Sequence, residues 1–438
     1  MVRILLAAFL VSAAFEPIGI WFLATLGFAL YLRTLQGSSK PIAHSFAFGF
    51  ILNAIVLHWS GKYVGVTPWL LLSGLQSLFY LPVGWMYRRT QSLLWSCLAL
   101  LAMEEFRARF PFGGFGWTRI AFSQVQSPAL PIVAIGGVTV LSAFTLVIAA
   151  LLVRVQRKNI ALIVALFVFA LLLPSNPQGS GELNLIAIQG NTPEVGLGFN
   201  SRAKAVFDLH RDATKTVMPN KYDAIIWPEN SIDIDPKLHP EVQADISALT
   251  TTLNTPIIAG VVQQDSKGPQ NASIMFGQDG SPESTYIKRG LTPFGEYIPL
   301  RRLAEFISPL AKGVNNFIPG SQRVTHKVAG ISVGPIICYE IILDDLVRDM
   351  ATNSNALIVQ TNSATFSGTA ESAQQLAITR IRAVEHSRHI LSVSTVGISS
   401  FIDNNGRVLS QTAENTQESL VGTLVSNGYR TFVNRIFS

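Results

Sequence analysis

From Met1 to Leu173 the chain passes through one apolar stretch after another, with only three carboxylates among them. The runs fall at 1–15 and 18–32, then near 42–57, 67–86, 91–103, 129–153 and 160–173. Such a series offers far more apolar surface than a water-soluble core of that length encloses. A bilayer accepts it, provided the backbone pairs internally as helices. Composition supports this where it bears on the point: 14% of the 438 residues are charged, against about a quarter in soluble domains. Residues 1–174 hold twelve Lys/Arg and three Glu, a net of +9, and the first Asp is Asp208. The remaining 21 Lys/Arg and 24 Asp/Glu give −3, so the overall +6 belongs to the membrane flanks. No basic patch of the kind that tracks nucleic acid stands in the second half, and no nucleic-acid partner is expected.

The first run mimics a signal peptide, with Arg3, an apolar stretch and Ser12-Ala13-Ala14. Further apolar runs follow at once, so it reads as a retained helix. Arg3, Arg33, Lys40, Arg88, Arg89, Arg154, Arg157 and Lys158 fall in alternate connections. Placing them in the cytoplasm predicts about seven crossings and brings the chain out on the opposite face after residue 173. Lys62, Arg107, Arg109 and Arg119 then lie outside, and the three arginines become candidates for phospholipid phosphates. His58-Trp59, Glu104-Glu105 and the glycine- and aromatic-rich stretch 112–117 lie near the outer ends. They read either as functional polar groups or as an interfacial loop with anchoring aromatics.

The stretch 175–181 is a linker by its Pro, Gly and Ser content, and the pattern then changes. Short β-rich runs at 183–189, 224–227, 257–262, 273–276, 284–287, 331–339, 356–361, 390–394, 399–402 and 408–411 alternate with helical stretches at 201–217, 241–253, 343–352 and 370–388. That alternation predicts a layered α/β domain over 182–438 behind a polytopic α-helical membrane domain over 1–174. Cys97 sits in an apolar run and reads as a small buried hydrophobe. His386 and His389 lack a third ligand and read as a surface pair, so no metal is expected. Gly113-Gly114 and Gly136-Gly137 have no phosphate-loop context.

Three reactive residues each close a predicted strand: Glu229 after IIWP, Lys288 after TYI and Cys338 after GPII. Strand ends are where ligand sites collect in α/β sheets. A thiol becomes nucleophilic as thiolate, a carboxylate can take its proton, and an ammonium can stabilise an oxyanion. WPEN around Glu229, the stretch YIKRGLTPFGEYIPLR with Lys288 and Glu296, and ICYEII around Cys338 resemble the Glu-Lys-Cys triad of the nitrilase, or carbon–nitrogen hydrolase, superfamily. Together with AFEP near the start, GFGW, and QQLAITRIRAVEHSR after the nucleophile, they resemble the apolipoprotein N-acyltransferase family across almost the whole chain.

The resemblance implies a four-layer αββα sandwich on the outer face of a bacterial plasma membrane. It implies acyl transfer through a thioester, with a phospholipid as donor, a diacylglyceryl-modified apolipoprotein as acceptor, membrane lipids as surroundings and no cofactor. Carried over, Cys338 is the nucleophile and Glu229 the general base. Lys288 and the Tyr339 N–H form the oxyanion site, and Glu296 and Glu340 orient Lys288 and the acyl group. Two departures are expected to matter. The family's Ser-Asn-Asp-Ala-Trp-Phe-Gly type segment reads Thr361-Asn362-Ser363-Ala364-Thr365-Phe366-Ser367 here, which bears on the acyl pocket. Many members also carry a further C-terminal transmembrane helix, which this sequence does not show before Ser438. The competing readings are a membrane-tethered amidase, in which water takes the acyl group, and a non-catalytic transport or scaffold protein.

Overall fold

The computed structural model describes residues 1–198 and 202–436. The chain divides into two compact units: Met1–Ser175 with Ala373–Glu385 and Thr431–Ile436, and Asn176–Ser372 with His386–Arg430.

The first unit is helical. Its helices are α1 (Val2–Ser12), α2 (Phe22–Gln36), α3 (Pro41–Val56), α4 (Val66–Leu78), α5 (Leu81–Thr90), α6 (Leu93–Arg107), α7 (Val133–Leu152) and α8 (Arg157–Leu171). The run expected at 67–86 is two helices, interrupted at Phe79-Tyr80 with Pro82 in the first turn of the second. By length and composition, Val66–Thr90 and Leu130–Leu152 are long and apolar enough to cross a membrane, with mean hydropathies of 1.2 and 2.4. Helix α7 is broken at Gly136-Gly137, where Gly137 has φ +70°. The break orphans an N–H, and the Glu385 carboxylate accepts it from Val138 at 3.2 Å. A Cβ on Gly137 would stand 2.7 Å from that carboxylate, so this pair of glycines serves a helix break.

The arginines expected to meet phospholipid phosphates are instead mostly internal. Arg107 is 1% exposed, bonded to Glu104 (3.5 Å) and to the Thr118 hydroxyl and carbonyl (2.6 Å each). Arg119 is fully buried against Glu105 and Thr139. A charge removed from water needs a partner, and Glu104 and Glu105 are those partners. Only Arg109 of the three has an exposed side chain, and it too pairs with Glu105, at 2.6 Å.

Gln374 ties four sequence motifs together within this unit. Its Oε1 accepts from Trp59 Nε1 (3.0 Å) and Trp117 Nε1 (2.7 Å), and its Nε2 donates to the carbonyls of Glu16 (3.2 Å) and Val56 (3.1 Å). An amide has two acceptor and two donor positions, and all four are filled. Gln374→Leu orphans two buried indole N–H groups and two carbonyls. It is expected to destabilise this unit by about 2–4 kcal/mol, read as a lower thermal midpoint in detergent.

The second unit opens with β1 (Glu182–Gln189), α9 (Ala205–Thr214), β2 (Ala224–Ile226), α10 (Pro240–Leu253), β3 (Ile257–Asp265), β4 (Gly268–Phe276) and β5 (Pro282–Ile287). It continues with α11 (Arg301–Ile307), β6 (His326–Val328), β7 (Ile331–Ile337), α12 (Asp344–Thr352), β8 (Ala356–Thr361), α13 (Glu371–His386), β9 (Ile390–Ser394), β10 (Ser400–Ile402), β11 (Val408–Gln411), β12 (Glu418–Val425) and α14 (Phe432–Ile436). Helix α13 from Ala373 and helix α14 belong to the first unit. The strands form two six-stranded sheets, β12-β1-β2-β3-β4-β5 and β11-β10-β9-β8-β7-β6. Strands β1, β2 and β3 run parallel in one sheet, as do β7, β8 and β9 in the other.

The period-two alternation of strand side chains sorts residues between two cores. Leu183, Leu185, Ala187, Ala224, Ile226 and Ile258 meet Val333, Ile358, Leu391 and Phe401 between the sheets. Ile186, Ile188, Ile225, Trp227, Ile257 and Ala259 face outward against α9 and α10. Helix α10 presents Val242, Ile246, Leu249 and Leu253 on one stripe. It starts with Pro240 and ends at Asn254 in the left-handed region, a pairing that suits helix ends. On the far side α12 buries Val347, Met350 and Ala351 next to β7 and β8. The order is therefore helices, sheet, sheet, helix. His386 and His389, expected at the surface, are 1% and 4% exposed, because the turn after α13 leads directly into the buried strand β9.

Candidate active site

The three strand-end residues converge, and local backbone features aim them. After β2, Trp227 is buried, donates its indole N–H to Thr214 (3.0 Å) and accepts from Gln360 at its carbonyl (2.7 Å). Pro228-Glu229 then passes against Gly260 of β3, where a Cβ would lie 2.4 Å from the Pro228 oxygen and 2.5 Å from the Glu229 Cα. Lys288 follows β5, and its backbone N–H donates to the Asn271 carbonyl at 2.8 Å. Cys338 follows β7, takes φ +49° and opens a short 3₁₀ turn over Cys338–Ile342. A residue with a Cβ adopts that left-handed conformation at a cost of roughly 1–3 kcal/mol, and here it turns the thiol off the strand.

Lys288 is 1% exposed and its ammonium lies between two carboxylates, 3.1 Å from Glu229 Oε1 and 2.8 Å from Glu296 Oε2. The Asn271 amide donates to the same two groups, at 2.7 Å to Glu229 Oε1 and 2.9 Å to Glu296 Oε1. The Thr292 N–H completes Glu296 at 2.8 Å. Sequence reasoning does not reach Asn271; a lone Asn inside a strand carries no signal until β4 is paired to β5 and Lys288.

Glu340 is fully buried and its bonds run to structure. Oε1 accepts from the Tyr286 hydroxyl (2.7 Å) and the N–H groups of Arg289 (2.8 Å) and Gly290 (3.0 Å), and Oε2 from the Ile337 N–H (2.8 Å). It thereby clamps the segment after Lys288 to the strand before Cys338. Tyr339 is 5% exposed beside the nucleophile.

Burial and charge set four unequal protonation states. Burial pushes the Cys338 thiol well above its ordinary range, the Glu229 charge adds to this and Lys288 opposes it. Burial also raises Glu229, against the pull of Lys288 and with a further push from Glu296. For Glu296 burial acts in the same direction but Lys288 outweighs it, and the carboxyl is held below its usual range. For Lys288 burial favours the neutral amine, yet Glu229 and Glu296 overrule it and the ammonium is held well above its usual range. The resting site is thus a neutral thiol, a fixed ammonium, a fixed carboxylate and one carboxyl of raised basicity.

The second unit is a carbon–nitrogen hydrolase domain, whose family model matches residues 185–432. The model of the apolipoprotein N-acyltransferase N-terminal domain matches residues 7–151. A Mycolicibacterium smegmatis protein named apolipoprotein N-acyltransferase is 32% identical over 448 residues, covering 91% of this chain and 75% of that one. A Pseudomonas paraeruginosa protein of the same name is 28% identical, covering 96% and 89%. Among solved structures, the carbon–nitrogen hydrolase superfamily protein XC1258 from Xanthomonas campestris covers 56% of this chain and 91% of that one, at 19% identity and a TM-score of 0.43. The chain belongs to the apolipoprotein N-acyltransferase family, and the resemblance read from its motifs holds.

Proposed function

We propose that the chain is a membrane-embedded enzyme that moves a fatty acyl group from a phospholipid to the α-amino group of a lipoprotein's N-terminal diacylglyceryl-cysteine, through a thioester on Cys338. The observation that carries this reading is the Lys288 ammonium held within 3.1 Å of Glu229 and 2.8 Å of Glu296, beside a strand-end thiol. Glu229 takes the Sγ proton as sulfur attacks the ester carbonyl. Lys288 and the Tyr339 N–H stabilise the oxyanion, and Glu229 returns the proton to the departing glycerol oxygen. Lys288 acts as a fixed positive charge and not as an acid, because its two carboxylates bind its proton too firmly. Glu296 and Asn271 hold it in place, and Glu340 holds the two loops that present Lys288 and Cys338. The acceptor amine then attacks the thioester and Cys338 leaves.

The test is the fate of the acyl group in detergent with phospholipid and a diacylated lipopeptide. The expected products are N-acylated peptide and lysophospholipid in equal amounts. Free fatty acid as the only acyl product would assign an amidase-like hydrolysis instead.

Residues 1–174 form a multi-pass domain in this reading, with the catalytic unit on the extracytoplasmic face of the plasma membrane. A reporter active only outside the cytoplasm, fused after Ser438, is expected to be active, and the same reporter fused at Arg89 silent. The reverse pattern would overturn this orientation.

A further inference from the structure

Transfer to an amine has a proton problem that transfer to water lacks. Near neutral pH an N-terminal amine, with a pKa of about 7.7–8.0, is largely ammonium and has no lone pair. It must lose one proton before attack and a second after it. The second goes through Glu229 to the departing thiolate. The first needs another acceptor.

The second unit contains one more buried carboxyl at this site. Glu371 begins α13 and is 3% exposed. It lies near enough to Cys338 for its charge to act on the thiol, and near enough to Glu229 to feel that carboxylate. Its bonds are to hydroxyls: Ser363 is a partner, and Ser372 Oγ donates to Oε2 at 3.4 Å. The hydroxyls gather at Gly397, where a Cβ would stand 2.8 Å from Ser363 Oγ, Ser372 Oγ and Ser394 Oγ alike. The titratable groups facing Glu371 are Glu229 after β2, Cys338 after β7 and Glu414 after β11. Burial, with the two carboxylates adding to it against the serines, lifts its carboxyl to about 7. Unlike Glu296, it is not committed to Lys288.

We propose that Glu371 accepts the proton that the acceptor's α-ammonium must lose before it attacks the Cys338 thioester. The inference rests on the thioester reading above. In the first step R–NH₃⁺ and the Glu371 carboxylate become R–NH₂ and the carboxylic acid. The amine nitrogen then bonds the thioester carbonyl carbon, Glu229 takes the second N–H proton, the C–S bond breaks, and Glu229 protonates the thiolate. Glu371 releases its proton to water, which is the net proton of the reaction. Glu371 has no such task while Cys338 is being acylated by phospholipid.

The experiment separates the two half-reactions. Full-length wild type and Glu371→Gln are loaded with phospholipid, freed of donor, and chased with a diacylated lipopeptide or with hydroxylamine, which is uncharged at neutral pH. Loading of Glu371→Gln is expected to be no slower than wild type. Its transfer to lipopeptide is expected to fall on the order of 10-fold near about pH 7, where Glu371 is substantially carboxylate and the acceptor amine is still largely ammonium. The deficit should shrink as pH passes the α-amino range of about 7.7–8.0, and hydroxylamine cleavage should be unchanged at every pH. Lipopeptide transfer at the wild-type rate near about pH 7, or a deficit of equal size at all pH values and with hydroxylamine, overturns the assignment. Should Glu371→Gln fail to load, Glu371→Ala, which also removes the carboxylate, carries the same comparison. A wild type that never loads overturns the thioester reading itself, and this assignment with it.

Discussion

Cys338→Ala is expected to reduce acyl transfer by at least on the order of 10³-fold, to the level of the uncatalysed reaction. The chain has one other cysteine, Cys97, buried in α6, and Cys97→Ala should transfer at the wild-type rate. Lys288 cannot stand in as the nucleophile, because it is locked as an ammonium between Glu229 and Glu296. A companion result follows from the backbone. Cys338 holds φ +49°, a conformation that costs a residue with a Cβ and costs glycine little. Cys338→Gly is therefore expected to be as inactive as Cys338→Ala but more stable than it by about 1 kcal/mol, measured as a higher thermal midpoint. Equal activity in Cys338→Ala and wild type would remove the nucleophile from the account.

The second large effect is at Lys288. Lys288→Ala is expected to cost on the order of 10²–10³ in turnover, while phospholipid binding is unchanged. Two losses combine. The oxyanion loses its fixed positive charge, and Glu229 and Glu296 are left facing each other with only Asn271 between them. Buried like charges cannot both remain ionised, and Glu229, already raised by burial, takes the proton. Glu229 accepts the thiol proton only as a carboxylate, so activity is present above its folded pKa and is lost as pH falls through it. In wild type the acidic limb of the loading rate should lie above the ordinary Glu value of about 4.3. In Lys288→Ala it should move further up, because the charge that opposed the rise is gone. Glu229→Gln should be slow at every pH. Wild-type turnover in both Lys288→Ala and Glu229→Gln would break the assignment of these roles.

Part of the site is legible in the sequence alone. Glu229, Lys288 and Cys338 each stand just beyond an apolar run, and a strand that buries both faces leaves its first reactive residue at its end. The paired carboxylates of the first unit are less legible. Arg119 reads as a lipid-facing charge because its partner Glu105 lies on α6 and meets it only once the loop at 112–119 has folded, and Arg107, with Glu104 one turn back on α6, is buried only when Thr118 of that loop bonds it. Strand β12 escapes the sequence pattern because Gly422 interrupts it. In the structure a Cβ there would meet the Phe401 ring at 2.6 Å, so the glycine is dictated by the opposite sheet. Strand β6 is three residues long and its His326 is bonded to Ser273 (3.0 Å) and Ser284 (2.7 Å), a contact invisible in local sequence. Asn271 and Glu371 share that property. Each is an ordinary polar residue in its own element, and each gains meaning only from groups far away in sequence.

Incubation of the purified full-length protein with phospholipid alone, followed by intact-mass measurement, reports the Cys338 thioester itself. One added acyl mass per chain is expected, released by hydroxylamine at neutral pH, absent from Cys338→Ala and retained in Cys97→Ala. An acyl mass that persists in Cys338→Ala, or a wild-type protein that turns over lipopeptide without ever carrying an acyl group, would contradict it.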